Sequence, residues 1–337
     1  MEYQLQFVPY RRPFAVPLRT ARGAWFEREG VLLRLERSDG KVGYGEVTPL
    51  EGFGTESAVQ ACDYLAGYSA GLVDADFSSI PNHLPSTAFG LSSARWMIEE
   101  PRIDYAFSNC ALLPGGGPAM EAVGPLLDQG FRTFKLKLGV ETLNHELALV
   151  NGLLGILPED GKLRLDANCH MTESDLESWQ AFLSGNDLID FLEQPFLVGR
   201  ERAMFESSEE VGLSLALDES VASIESFEKF AALRSWTGQL IVKSSIMGSV
   251  EEQRRVVPAH ANRVIVSSSF ETGIGVHCVL RLAAALGIGQ AVGFGTLAFF
   301  ADRLKGFELS PVLQSNELAD DGLESIWEAV RREFVMS

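Results

Sequence analysis

Between Lys135 and Lys243 the chain sets one charged group after another at the end of a short apolar run, at a nearly constant interval. The runs are Phe134-Lys135-Leu136-Lys137, Leu163-Arg164-Leu165-Asp166, Ile189-Asp190-Phe191-Leu192-Glu193, Leu215-Ala216-Leu217-Asp218 and Leu240-Ile241-Val242-Lys243. The steps from Lys137 to Asp166, Glu193, Asp218 and Lys243 are 29, 27, 25 and 25 residues. A (β/α)8 barrel spends about 31 residues on each strand–helix unit, so each step fits one strand, one helix and their loops. The spacing predicts three carboxylates and two or three lysines at the C-terminal ends of consecutive parallel strands. Barrels of this kind build their active sites on that face.

The flanking sequence fits around this repeat. Residues 1 to about 50 read as antiparallel strands: Tyr3 to Phe7 alternates, Gly30 to Leu35 is strand-like, and Ser38-Asp39-Gly40 turns the chain into Val42-Gly43-Tyr44-Gly45. Helices are predicted over 57–67 and 86–100. Together these form a small α+β capping domain over residues 1–100. A barrel domain follows over 101–307, with a first strand at Phe107 to Leu113 and later strands at Val264 to Val266 and, more weakly, Gln290 to Gly293. Helices are expected near 118–129, 143–157, 173–184, 200–211, 223–233, 249–260 and 275–286. This alternation indicates a parallel α/β sheet, and the even composition of the region favours closure into one barrel. Residues 308–337 lose the periodicity, are acidic, and predict a helix from Gly322 to Phe334.

Composition narrows the partners. No apolar run approaches the roughly 20 residues a membrane span requires, and Met1 to Thr20 alternates rather than offering a basic region followed by an apolar one. The formal net charge of -18 disfavours nucleic acid and anionic membrane, since both recruit cationic surface. Cys62, Cys110, Cys169 and Cys278 form no C-x-x-C pair, which suits a reducing cytoplasm. A small molecule is the partner class left, and the protein is expected as a monomer or homo-oligomer.

Asp166, Glu193 and Asp218 offer hard oxygen ligands from three strands. A cation such as Mg²⁺ takes that donor type and keeps positions open for water or substrate. Any one of them alone reads more readily as a solvated loop carboxylate or a helix N-cap; three at unit spacing read as a metal site. Lys137 and Lys243 flank the trio in sequence, so a closed barrel puts them on opposite sides of it. Burial and a nearby cation depress a lysine toward the range a general base needs. Lys135 shares a strand face with Lys137 at the period of two, and its charge would push the same way. A metal with facing amines is what abstraction of a proton next to a carboxylate requires. Ser267-Ser268-Ser269 and Gly273-x-Gly275, opening the next helix, are candidate holders of a substrate carboxylate. Gly293 in Gly293-Phe294-Gly295 permits close backbone approach to a ligand. His277 falls inside a predicted helix and reads as packing or surface; His170 lies in the loop beyond Asp166.

The set Lys135-x-Lys137, Asp166-Ala167-Asn168, Glu193-Gln194-Pro195, Asp218-Glu219-Ser220 and Lys243 resembles the enolase superfamily, in its muconate-lactonising subgroup, over nearly the whole chain. Asn109 to Gly116, Ser267 to Gly275 and Gly295 to Phe300 look most like the dehydratases that form o-succinylbenzoate in menaquinone or phylloquinone biosynthesis. The resemblance implies a modified (β/α)7β TIM barrel beneath the cap, with residues 308–337 returning to the cap. It implies Mg²⁺, or Mn²⁺ in its place, on Asp166, Glu193 and Asp218. Lys137 would take the proton alpha to the carboxylate and then assist departure of hydroxide from the same face. Lys243 would stay charged and stabilise the enediolate, and Lys135 would tune Lys137. Ser267, Gly293 and Asn168 would bind substrate, beneath loops near 21–24 and 50–54. Rivals in the subgroup are dipeptide epimerases, N-succinylamino-acid racemases and muconate-lactonising enzymes. Gly293 to Phe299 contains no acid, which counts against a dipeptide epimerase, whose substrate ammonium needs one.

Overall fold

The structure is a computed structural model that describes residues 2–20, 23–68, 71–211, 213–222 and 236–336. Strands β1 (Glu2–Thr20), β2 (Gly23–Arg37), β3 (Val42–Val47) and β4 (Leu72–Val73) form an antiparallel sheet in the order β3-β2-β1-β4. Gly40, at φ +83°, closes the β2–β3 turn, its N–H donating to the Arg37 carbonyl at 2.8 Å. Alternation then sorts the side chains. Val31, Leu33 and Leu35 pack with Ala61 and Leu65 of α1 (Ala58–Ala66) and with Leu91 and Ala94 of α2 (Pro85–Glu99). Leu32, Val8 and Tyr10 point the other way, into the core of the rest of the molecule. Helix α2 lies directly on β3: a Cβ at Gly43 or Gly45 would stand 2.0 Å from a carbonyl oxygen of Ala94 or Gly90.

The expected first barrel strand is divided. Strand β5 (Ala106–Ser108) pairs antiparallel with a later strand, and only β6 (Cys110–Leu112) belongs to the barrel. Asn109 makes the break. Its N–H donates to the Pro311 carbonyl at 2.8 Å, its Nδ2 to the Ser310 carbonyl at 3.1 Å, and its Oδ1 accepts from Phe294 N–H at 3.0 Å. From β6 the chain alternates regularly: α3 (Pro118–Asp128), β7 (Thr133–Lys137), α4 (Leu143–Ile156), β8 (Lys162–Asp166), α5 (Glu173–Leu183), β9 (Ile189–Glu193), α6 (Glu201–Val211), β10 (Leu215–Leu217) and α7 (Glu219–Ala222). It continues with β11 (Gln239–Val242), α8 (Val250–Val256), β12 (Val264–Val266) and α9 (Gly273–Ala285). The helix expected over 223–233 lies outside the described residues. The one expected over 249–260 turns into a 3-10 helix from Val257, at Pro258, which lacks the N–H a longer α-helix would use.

Strands β6 to β12 form one parallel sheet in sequence order. The weak eighth strand reduces to two bridges, Asn109 with Val292 and Ser267 with Gly293, which join the two edges of the sheet and close it. Phe191, Ala216, Ile241 and Ile265 make a separate buried cluster. Each stands two residues before Glu193, Asp218, Lys243 or Ser267, so period-two geometry puts an apolar layer directly beneath the charged one. Strand β13 (Val312–Gln314) is the partner of β5, and α10 (Asp320–Met336) lies against β1, β2 and α9. Helix α10 starts two residues before the expected Gly322 and is tied to the sheet by a Tyr44–Glu324 hydrogen bond. Among the described residues no helix is long and apolar enough to cross a membrane.

His277 packs inside α9, its Nδ1 3.0 Å from the Tyr105 hydroxyl. Burial first, then the charges of Arg281 and Arg102, push its pKa down to about 4. The unfolded chain therefore binds a proton near pH 6.5 that the folded chain refuses until about 4. That stability is present above about pH 6.5 and is lost as pH falls. Chemical denaturation should show His277→Asn losing about 2 kcal/mol less than the parent between pH 7 and pH 5. Equal losses would contradict this account.

Candidate active site

Three strands put their last residues in one row. Lys137 of β7 registers with Asp166 of β8, and Asp166 with Glu193 of β9. Lys135, on the same face as Lys137, places its Nζ 2.7 Å from Asp166 Oδ2 and 2.7 Å from Glu193 Oε1. Those two oxygens are therefore no farther apart than twice that distance. On the far side Asp218 forms an ion pair with Lys243, whose Nζ lies 5.1 Å from the ring centroid of Phe53. Lys137 is exposed to the cleft that these residues line and makes no ion pair among the described residues.

The electrostatics follow from burial. Glu193 is 1% exposed; desolvation, then the charge of Asp166, push its carboxyl up to about 8, with Lys135 pulling the other way. Desolvation works against the Lys135 ammonium too, but Asp166, Glu193 and Asp218 outweigh it and hold the group charged well above its ordinary range. Glu219, beside Asp218, is raised by burial and by the charges of Asp218 and Asp166, and its Oε2 is buried without a hydrogen-bond partner. Two ammonium groups, paired with three of the four acids, leave the site short of positive charge. An all-carboxylate donor set of that kind fits a hard divalent cation. Among the described residues no three His, Cys, Asp or Glu side chains are already drawn together as ligands; the Lys135 ammonium stands between Asp166 and Glu193.

The loops after the strands are held in strained conformations. Asn168, Cys169, Gln194 and Phe270, at φ 43°, 66°, 39° and 67°, all follow barrel strands. Gln194 Oε1 accepts from the N–H groups of Asp218 at 3.0 Å and Ser220 at 3.2 Å, so the end of β9 fixes the backbone that carries Asp218. Asn168 lines the cleft, its N–H donating to Asp166 Oδ1 at 3.0 Å and its Nδ2 to Glu219 Oε1 at 3.4 Å.

Ser267 and Gly293 line the opposite wall. A Cβ at Gly293 would stand 2.9 Å from Ser267 Oγ, so only glycine lets the closing segment come this near. The proposed carboxylate holder at Gly273-x-Gly275 is corrected by the structure. Glu46 of the cap takes that helix N-terminus, accepting from Thr272 N–H at 3.0 Å, Thr272 Oγ1 at 2.6 Å and Gly275 N–H at 2.7 Å. Ser268 and Ser269 are likewise turned toward Glu271 and away from that role. His170 lines the cleft at its rim.

The cap completes the enclosure. Gly52, Phe53 and Gly54 from one loop, with Leu18 and Trp25 from the β1–β2 hairpin, face the barrel mouth. Of the loop at 21–24, residues 21 and 22 lie outside the described residues. The cleft measures about 2240 Å³, above the ~300–1000 Å³ of a usual small-ligand site, so it takes in the mouth as well as the chemistry. Sequence reasoning placed the loop near 50–54 over the site without singling out Phe53, and missed Trp25, Phe270, Glu219 and the bracing role of Gln194. Glu219 and Gln194 were signalled by adjacency to Asp218 and Glu193; the aromatic positions carried no signal.

A family model described as "Enolase C-terminal domain-like" matches residues 119–299, and one described as "MenC, N-terminal domain" matches residues 6–98. The chain is 34% identical to the o-succinylbenzoate synthase of Thermosynechococcus vestitus over 299 residues, which is 85% of this chain and 90% of that one. It superposes on the crystal structure of o-succinylbenzoate synthase from Thermosynechococcus elongatus, complexed with Mg in the active site. That match has a TM-score of 0.85 at 30% identity and covers 97% of this chain and 99% of the other. An N-succinyl Arg/Lys racemase from Bacillus cereus, at 16% identity and a TM-score of 0.77 over 97% of this chain and 98% of the other, shares the fold alone. With the matched segments reaching across both the antiparallel sheet and the barrel, the chain belongs to the enolase superfamily and, within it, to the o-succinylbenzoate synthase family.

Proposed function

We infer that the protein is an o-succinylbenzoate synthase, a carbon–oxygen lyase that dehydrates 2-succinyl-6-hydroxy-2,4-cyclohexadiene-1-carboxylate to 2-succinylbenzoate. The observation that carries the mechanism is that Lys137 ends β7 and Lys243 follows β11, four strands apart in the closed sheet, and that both line one cleft with the buried carboxylates between them. Asp166, Glu193 and Asp218 would hold Mg²⁺, or Mn²⁺ in its place. When bound, the metal supplies positive charge against the substrate carboxylate as a proton leaves the adjacent carbon.

The chain's own groups do the rest. Lys137, free of any ion pair among the described residues, is the amine that accepts the alpha proton. The C–H electron pair first moves into the carboxylate as an enediolate, and then returns to form the new ring double bond as the C–O bond to the hydroxyl breaks. Lys137 then returns its proton to the departing hydroxide on the same face, so water leaves and the ring becomes aromatic. Lys243, paired with Asp218, faces the enediolate charge and stabilises it. Lys135, on the same strand face as Lys137 and tied to Asp166 and Glu193, sets a positive charge beside Lys137 and tunes it. Ser267 and Gly293 receive the succinyl carboxylate, and Asn168 lines the substrate wall. Residues 1–100 act as the cap, 101–307 as the catalytic barrel and 308–337 as the segment returning to the cap. The enzyme works in the cytoplasm on the route to menaquinone or phylloquinone, as monomer or homo-oligomer, without nucleic acid or membrane.

Purified protein should convert the cyclohexadiene acid when Mg²⁺ is present, lose the activity with chelator and regain it on adding Mg²⁺. If alpha-deuterium exchange of an N-succinyl amino acid in heavy water outruns that dehydration, the protein is a racemase of the same subgroup. Lys137→Ala should lower kcat by about 10³-fold or more while product affinity, read by calorimetry, stays within tenfold. A kcat reduced only a few-fold would remove Lys137 from the proton transfer.

A further inference from the structure

We propose that Glu271 is a positioning residue for the dehydration, a carboxylate clamp that sets the wall of Ser267 and Phe270 against the loop following Lys243. The proposal rests on the functional reading above and adds to it a residue that does not touch substrate. Glu271 is 1% exposed and forms no ion pair among the described residues. A buried carboxylate persists only where donors and positive charge converge on it, and the buried Arg28, whose charge interacts with Glu271, donates its Nε to the neighbouring Ser269 carbonyl at 3.2 Å. Here Oε1 accepts from Ser245 Oγ at 2.6 Å, and Oε2 accepts from Ser268 Oγ and Ser269 N–H, both at 2.8 Å.

These partners lie on two different strand ends. Ser245 is two residues past Lys243, in the buried 3-10 turn Ser244–Ile246. Ser268 follows Ser267, donates its N–H to the Gly293 carbonyl at 3.1 Å, and accepts from Phe270 N–H at 2.8 Å through Oγ. That last bond helps hold Phe270 at φ 67°, packed against Trp25 and Phe299. From the cap, Arg12 donates to the Glu271 carbonyl at 2.8 Å. One side chain thus joins the strand end that carries Lys243 to the wall assigned to the succinyl carboxylate. Cutting one arm disturbs the chemistry, and cutting the other disturbs binding.

Ser245→Ala, Ser268→Ala and Glu271→Gln are compared with the parent for kcat, KM, product affinity by calorimetry and melting temperature. Ser268→Ala should raise KM and weaken product binding about tenfold, with kcat within threefold; Ser245→Ala should lower kcat about tenfold, with KM and product affinity within threefold. Glu271→Gln should show both effects. If it fails to fold, the two serine variants decide alone. The clamp is overturned if the variants lower the melting temperature yet leave kcat and KM within twofold, or if the two serine variants cannot be told apart. Parent protein that neither dehydrates the acid nor binds the product overturns the functional reading instead. Hydrogen exchange then reads the clamp by itself: Ser268→Ala should speed amide exchange across 267–271 about tenfold, and unchanged exchange sinks it.

Discussion

Four acids crowded into the mouth of a barrel repel one another, and the ammonium groups of Lys135, between Asp166 and Glu193, and of Lys243, against Asp218, offset part of that repulsion and allow them to be buried together. The apolar layer of Phe191, Ala216, Ile241 and Ile265 beneath them excludes water from below, and this raises the cost of every unpaired charge above. Glu193 registers that cost directly, its carboxyl pushed up to about 8 by burial and by Asp166. An all-oxygen set of acids with that much uncompensated negative charge fits a hard cation.

The cap is fixed to the barrel by buried polar bonds as well as by packing. Glu46, at the end of a cap strand, accepts from Tyr10 at 2.5 Å and supplies the carboxylate at the N-terminus of α9, where the helix dipole favours it. A Cβ at Gly275 would stand 2.5 Å from Glu46 Oε2, so that glycine serves domain docking. Phe53 then reaches the Lys243 ammonium from the cap, which keeps one side of the site partly dry and gives the charged lysine a ring face to rest on.

Much of this was legible in the sequence because a barrel writes its period into the chain. A charge ending each apolar run located Lys137, Asp166, Glu193, Asp218 and Lys243 on their strands, and the period of two put Lys135 beside Lys137. The break at Asn109 was not legible, since Phe107 to Leu113 is continuous in hydrophobicity and the interruption comes from hydrogen bonds to residues near 292 and 310. Gly273-x-Gly275 misled for a related reason. A helix N-terminus is a ready anion site, but which carboxylate fills it depends on a cap strand more than two hundred residues earlier. Phe53 and Trp25 meet the site only through the docking of cap on barrel, which no local pattern encodes.

The central claim is that Asp166, Glu193 and Asp218 share one divalent ion. Mn²⁺ titration followed by electron paramagnetic resonance tests it without reference to turnover. The account predicts one tightly held Mn²⁺ per chain in the parent protein, displaced by added Mg²⁺, and no tight site in Glu193→Gln. Tight binding that survives that substitution unchanged would contradict it.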